Sequence, residues 1–270
     1  MMFRARLLVQ PILGRVTSRG MSGYTVQVLI SQFAGLDPQA VHARLCDWRS
    51  DVQLISGDVQ RVTLAVPTAD LPLFVDISLA APEVYAQALC DALTWTPRWH
   101  ERWSTMAERC HASIIVTLTP QRPINHASLL LAFLAVLDGV LAELDAAELA
   151  NAVLHWMPAQ QLLTYAQYRE LRMDLGPCGP AVNIRIANAT GRPGELLADT
   201  VGLSELGLPD LQTVVRGEDL AEVTDRLRLL VRRMFVGDRL GCAWVEEASM
   251  VPPQRDTLTL ALDRKETDSW

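Results

Sequence analysis

The chain has 270 residues, half of them apolar, and carries 31 acidic against 24 Lys and Arg side chains for a net charge of −7. Such a chain is long and hydrophobic enough to bury a full core, as one large domain or two of ordinary size, so extended disorder is excluded. The acidic balance, with no dense basic stripe, argues against nucleic acid as the partner.

Residues 1–20 hold Arg4, Arg6, Arg15, Arg19 and no acid, with a short apolar run, Leu7–Leu13, broken by Pro11. No small-residue cleavage site follows, so the segment reads as a disordered or mis-assigned N-terminal extension rather than a targeting peptide, with the folded chain starting at Met21. Tyr24–Ile30 is a β-type run. Asp37-Pro38 then opens a helix with Asp37 as cap and Pro38 in the first turn, and Val41, Leu45 and Trp48 fall on one face. Val62–Val66 and Leu73–Leu79 read as strands around the turn residues Pro67–Asp70. Helical pattern runs from Pro82 toward Cys110, broken near Pro97, and Ser113–Leu118 suits a central strand.

Asn125–Leu144 reads as a helix hydrophobic nearly all round. Its apolar stretch from Ser128 is too short for a span of about 20 residues and is broken by Asp138, Gly139 and Glu143, so burial between layers is expected rather than a membrane. The second half supplies Ala152–Trp156 as a strand, Leu162–Met173 as a helix, then Ala181–Ala187 and Asp199–Leu203 as strands. Glu218–Val236 is amphipathic, with Leu220, Val223, Leu227, Leu230, Val231 and Met234 on one side. Cys242–Val245 and Thr257–Leu262 close as strands, and residues 264–270 form a polar tail. The predicted fold class is α+β: two β-α-β-β-α-β (ferredoxin-like) halves, 21–150 and 151–263, packed together through the central buried helix.

Chemistry-bearing motifs are sparse. The cysteines Cys46, Cys90, Cys110, Cys178 and Cys242 are scattered without a C-x-x-C pair, which predicts reduced thiols and a cytoplasmic location. The histidines show no H-x-x-x-H spacing, and Cys110-His111 are neighbours that point apart on a strand, so no metal is expected. No G-x-S-x-G elbow and no phosphate loop with Lys-Ser/Thr occurs. Neither a catalytic residue nor a cofactor is therefore assigned. The Gly-Pro clusters Gly176–Pro180 and Gly191–Gly194 are turn chemistry, the second as a hairpin tip.

Trp95, Trp99 and Trp103 are four residues apart and interleave with Arg98 and Arg102. Such a stripe serves packing in most helices; left exposed, it is a protein-contact anchor. A rival arrangement places His111, His155 and Glu246 in a cleft between the two halves, as an enzyme or small-ligand site. The segment Asp199–Leu211 gathers Thr200, Gly202, a capping Ser204, Gly207 and Pro209 around a short apolar stretch, which predicts a tight strand-turn-strand corner.

That corner, T-V-G-L-S-E-L-G-L-P-D-L, resembles the signature of the DUF4261 family of uncharacterised bacterial proteins. A-V-L-H-W, A-V-N-I-R-I and H-A-S-I-I-V, the last starting at His111, resemble strands of the same family, and the likeness spans Tyr24 to Leu262. It carries no catalytic residues over. Members occur in places among toxin and secretion genes, which implies a non-enzymatic protein-binding role whose partner is another protein, such as a cognate toxin. The acidic charge agrees with a basic partner of that kind.

Overall fold

A computed structural model of the protein describes residues 24–33, 35–67, 72–96, 103, 106, 108–120, 126–188, 195–237, 243–248 and 256–261. Both the expected N-terminal extension and the polar tail lie outside these residues. The protein is α+β, built on two sheets.

The larger sheet contains β1 (Tyr24–Ile30), β2 (Gln53–Gly57), β3 (Arg61–Val66), β4 (Leu73–Ala80), β5 (Ala112–Pro120), β6 (Val153–Trp156) and β7 (Gln161–Thr164), in the order β2-β3-β4-β5-β1-β6-β7. Every pair in it is antiparallel. In this order β1 lies between β5 and β6, and the hairpin β3-β4 sits on the far side of β5. β6 and β7 lie beyond residue 150 yet complete this sheet through β1, so sheet membership crosses the expected boundary between halves.

The smaller sheet contains β8 (Asn183–Asn188), β9 (Leu196–Val201), β10 (Asp210–Val215), β11 (Ala243–Ala248) and β12 (Asp256–Ala261), in the order β11-β12-β10-β9-β8. Its single parallel pair is β10 with β12. The helices are α1 (Pro38–Trp48), α2 (Ala86–Thr94), α3 (His126–Leu141), α4 (Ala146–Asn151), α5 (Tyr165–Leu175) and α6 (Leu220–Phe235).

Alternation along β1 sends Val26, Val28 and Ile30 to one face, where they meet Val62, Leu64, Val75, Ile77, Ile114, Val116 and Leu154 in a continuous core with Val41 and Leu45 of α1 and Leu130, Phe133, Leu134 and Leu137 of α3. The same core extends to Ala198, Leu211, Leu258 and Leu260 of the smaller sheet and to Val223, Leu227, Val231 and Phe235 of α6. Chain segments on both sides of residue 150 therefore share one interior. At its centre Trp156 packs edge-on to Phe133 and stacks with Tyr168, while its indole N–H donates to the Tyr24 hydroxyl at 2.9 Å.

α3 is buried on most sides, as expected. The Asp138 that interrupts it accepts from the Tyr168 hydroxyl at 2.7 Å and pairs with Arg172, which fastens α3 to α5. Asp37 caps α1 by accepting the Gln39 and Ala40 amides. Trp48, expected on the buried face of α1, closes that helix and is 43% exposed. Leu220 likewise leaves the buried stripe of α6 and is 39% exposed, because it occupies the first turn beside the Asp219 cap.

Two strands had no period-2 signal to reveal them. β2 is an edge strand with four of its five residues exposed and a register shift between Leu54 and Ser56, so no buried face imposes alternation on it. β7 was absorbed into the predicted helix Leu162–Met173. The helix starts instead at Tyr165, where Thr164 and Gln167 form a reciprocal capping box.

Candidate functional site

The described surface has its most cleft-like region where four adjacent strands of the larger sheet end. Ser31 follows β1, His111 precedes β5, Asn151 precedes β6 and Thr164 ends β7. His111 joins this row by donating its amide to the Ile30 carbonyl at 3.1 Å. Ser31, Met106, Arg109, Cys110, Ala150, Asn151 and Thr164 line a cavity of about 210 Å³. A second, more open cavity of about 340 Å³ adjoins it and shares Ser31, Arg109 and Asn151.

Beside this cleft, Glu148 of α4 ties down Ser31, accepting both its amide N–H, at 3.1 Å, and its hydroxyl. The Ser31 hydroxyl is thus engaged by a carboxylate, with no histidine interposed as base. Cys110 is 8% exposed, and burial, aided by the Glu148 charge, pushes its thiol up. A thiol held protonated is a poor nucleophile, so Cys110 acts as an apolar wall. Arg109 and His111 sit at the exposed rim.

A second concentration of polar groups is buried in the smaller sheet. Register places Arg185, Asp199, Gln212 and Thr259 in one row across β8, β9, β10 and β12. Arg185 and Asp199 form a bidentate pair at 2.9 and 2.6 Å, and Gln212 donates to the Thr259 hydroxyl at 2.8 Å. The Trp95 ring lies 4.2 Å from the Arg185 guanidinium carbon and packs against Leu197. Gln160, held in a left-handed conformation after β6, accepts from Arg185 at 3.4 Å.

Of the aromatic stripe, Trp95 is built into the Arg185 row, and Trp103 packs against the core of Leu29, Leu89 and Val153. Both described members are half-buried. Arg98, Trp99 and Arg102 lie outside the described residues.

His111 and His155 do not meet in a common cleft. His111 is exposed at the sheet end, whereas His155 is fully buried opposite Gln27 in mid-sheet. Its Nδ1 donates to Gln27 Oε1 at 3.1 Å, and Gln27 donates in turn to the Pro82 carbonyl at 3.0 Å, under the turn that leads into α2. Its Nε2 is buried without a partner, and desolvation pulls the imidazole down to about 4, the Ala88 backbone acting the other way. Glu246 belongs to β11, at the opposite edge of the smaller sheet from β8, and its side chain is outside the described residues.

The corner forms as a β9-turn-β10 connection. Thr200 is fully buried, its hydroxyl donating to Asp210 and accepting the Leu211 amide at 2.8 Å. Asp210 also accepts the Leu203 amide at 3.2 Å. Ser204, expected to cap, makes no capping contact; the acid at the far end of the corner does that work. Gly202, at φ +118°, lies so close to the Ala181 carbonyl that no side chain fits there, while Gly207 at φ +77° closes the turn and Pro209 precedes β10.

No protein-family model, curated protein or solved structure matches this chain.

The corner and the Arg185 row thus hold shape, and the two adjoining cavities lie at the strand ends instead. Among the described residues no group of three or more His, Cys, Asp or Glu is placed to hold a metal ion, and no helix is long and apolar enough to cross a membrane. Sequence reasoning missed the cleft because Ser31, Arg109, Glu148 and Asn151 are scattered, each an ordinary residue beside a strand end. One trace was readable: H-A-S-I-I-V and A-V-L-H-W were already recognised as strands, so their preceding residues had to share an edge once both paired with β1.

Proposed function

We propose that this chain is a non-enzymatic protein-binding module of bacterial origin, acting as an immunity or accessory protein to a secreted toxin, in keeping with the resemblance of its corner to the DUF4261 family. The observation that carries the reading is the fate of its ionisable groups. Arg185 and Asp199 neutralise one another in the interior, and His155 is shut away from His111. Acids such as Glu83, Asp91, Glu170, Asp174, Glu222 and Asp225 remain exposed. An acidic exterior, with the buried Arg185 and Asp199 charges paired to one another, favours steering of a basic partner over catalysis.

Trp95 and Trp103 are half-buried, one over Arg185 and the other against the Leu29 cluster, which leaves part of each ring at the surface. The test is direct binding between the purified chain and the proteins encoded beside it, by calorimetry at low and high salt. A complex at micromolar or tighter affinity that weakens with salt supports the reading. No complex with any co-encoded protein overturns it.

A second reading, a small-ligand protein, is favoured by the cleft at the ends of β5, β1, β6 and β7 rather than by any site between two halves.

A further inference from the structure

We propose that the cleft beneath Arg109 binds a small aliphatic acid, carboxylate at the rim and hydrocarbon inward. This rests on the small-ligand reading and is independent of any protein partner. The inner cavity, about 210 Å³, is walled by Met106, Cys110 and Ala150. A dry apolar cavity of about 150 Å³ accommodates benzene, so this one takes a chain of about six to eight carbons.

The wall carries no charge, since burial and Glu148 keep the Cys110 thiol protonated. The other polar lining groups have partners within the chain: both Ser31 donors go to Glu148, the exposed Asn151 amide donates to the Ala147 carbonyl at 2.8 Å, and the Thr164 hydroxyl donates to Gln167 at 3.3 Å and accepts its amide at 3.1 Å. With these donors engaged, the cavity favours hydrocarbon over a polar group.

Arg109 is different. It lines both cavities, is exposed, and makes no hydrogen bond or ion pair among the described residues. A guanidinium with no partner among the described residues, at the mouth of an apolar cavity, matches a carboxylate on an apolar tail, because its planar donors take both oxygens at once. His111 adds a ring at the outer cavity. Glu108 lines that outer cavity alone, so the anion is confined to the shared wall where Arg109 stands.

The experiment uses the full chain labelled with ¹³C at methionine methyls, the Met106 signal being assigned by Met106→Leu. Hexanoate is the probe and 1-hexanol its uncharged control. Hexanoate is expected to shift the Met106 methyl saturably, with 1-hexanol binding about tenfold more weakly, as loss of one charge-assisted contact implies. Arg109→Gln, at an exposed position, should bring hexanoate down to the level of hexanol. Ala150→Phe should abolish the Met106 response with Arg109 intact. Absence of a saturable shift overturns the proposal, as does equal hexanoate affinity in Arg109→Gln or an unchanged response in Ala150→Phe. None of these outcomes bears on binding of a co-encoded protein, which calorimetry reads separately.

Discussion

Arg185 and Asp199 face each other directly across β8 and β9, their side chains joined by two hydrogen bonds and each 1% exposed. Removing one partner strands the other as a buried charge, whereas replacing both with apolar groups removes the desolvation cost as well. Asp199→Ala should therefore cost about 3–5 kcal/mol of stability, and Arg185→Met with Asp199→Leu distinctly less. Urea denaturation of the three chains decides it. Equal losses in the single and double variants would show that the pair is not held as a desolvated unit.

The corner separates two glycines by cause. At Gly202 a methyl group meets the Ala181 carbonyl as well as an unfavourable backbone conformation, whereas Gly207 takes a positive φ of +77°. Gly207→Ala should cost about 1–2 kcal/mol through the left-handed penalty. Gly202→Ala should cost more and lower expression of folded protein. Comparable melting temperatures for the two variants would contradict this account.

His155 sets an acid limit. Its folded pKa, about 4, lies below the ordinary 6.5, so the unfolded chain takes up the proton first. The stabilisation is fully present above pH 6.5 and is lost as pH falls toward 4, amounting to roughly 3 kcal/mol over that window. His155→Gln keeps a donor for Gln27 and removes the titration. Unfolding free energies of the two chains between pH 7 and pH 4 should converge on acidification; parallel curves would remove His155 as the cause.

Thiol chemistry follows burial. Cys90 is exposed, while Cys110 and Cys178 are buried free thiols, the latter pushed up to about 11. Under native conditions iodoacetamide should label Cys90 at least about tenfold faster than either buried thiol. Mass spectrometry of timed samples checks this. Rapid labelling of Cys110 would mean that the cleft opens more widely than its walls imply.

Local signals were legible wherever one face of an element is buried. β1 was readable to the residue, the Asp37 cap and Pro38 fixed the start of α1, and the apolar run of α3 announced its burial. β2 and β7 escaped because one has no buried face and the other is buried on all but its last residue, with a helix cap at its end. The glycine spacing of the corner was visible, yet Asp210 as its fastening was not, since an acid eight residues beyond Gly202 acquires that role only when the chain folds back.

Composition, patterning and turn residues determined by themselves that this is an α+β protein with a long buried helix and a rigid corner, because those features depend on neighbours within a few positions. Only the tertiary structure decided which strands pair. It placed β6 between β1 and β7, set Trp95 over Arg185, and gathered Ser31, Arg109, Cys110 and Asn151 around one cleft. Strand pairing and buried ion pairs join residues far apart in the chain, His155 and Gln27 being separated by 128 positions, and their energies depend on register and desolvation. Neither quantity has a local signature in the chain.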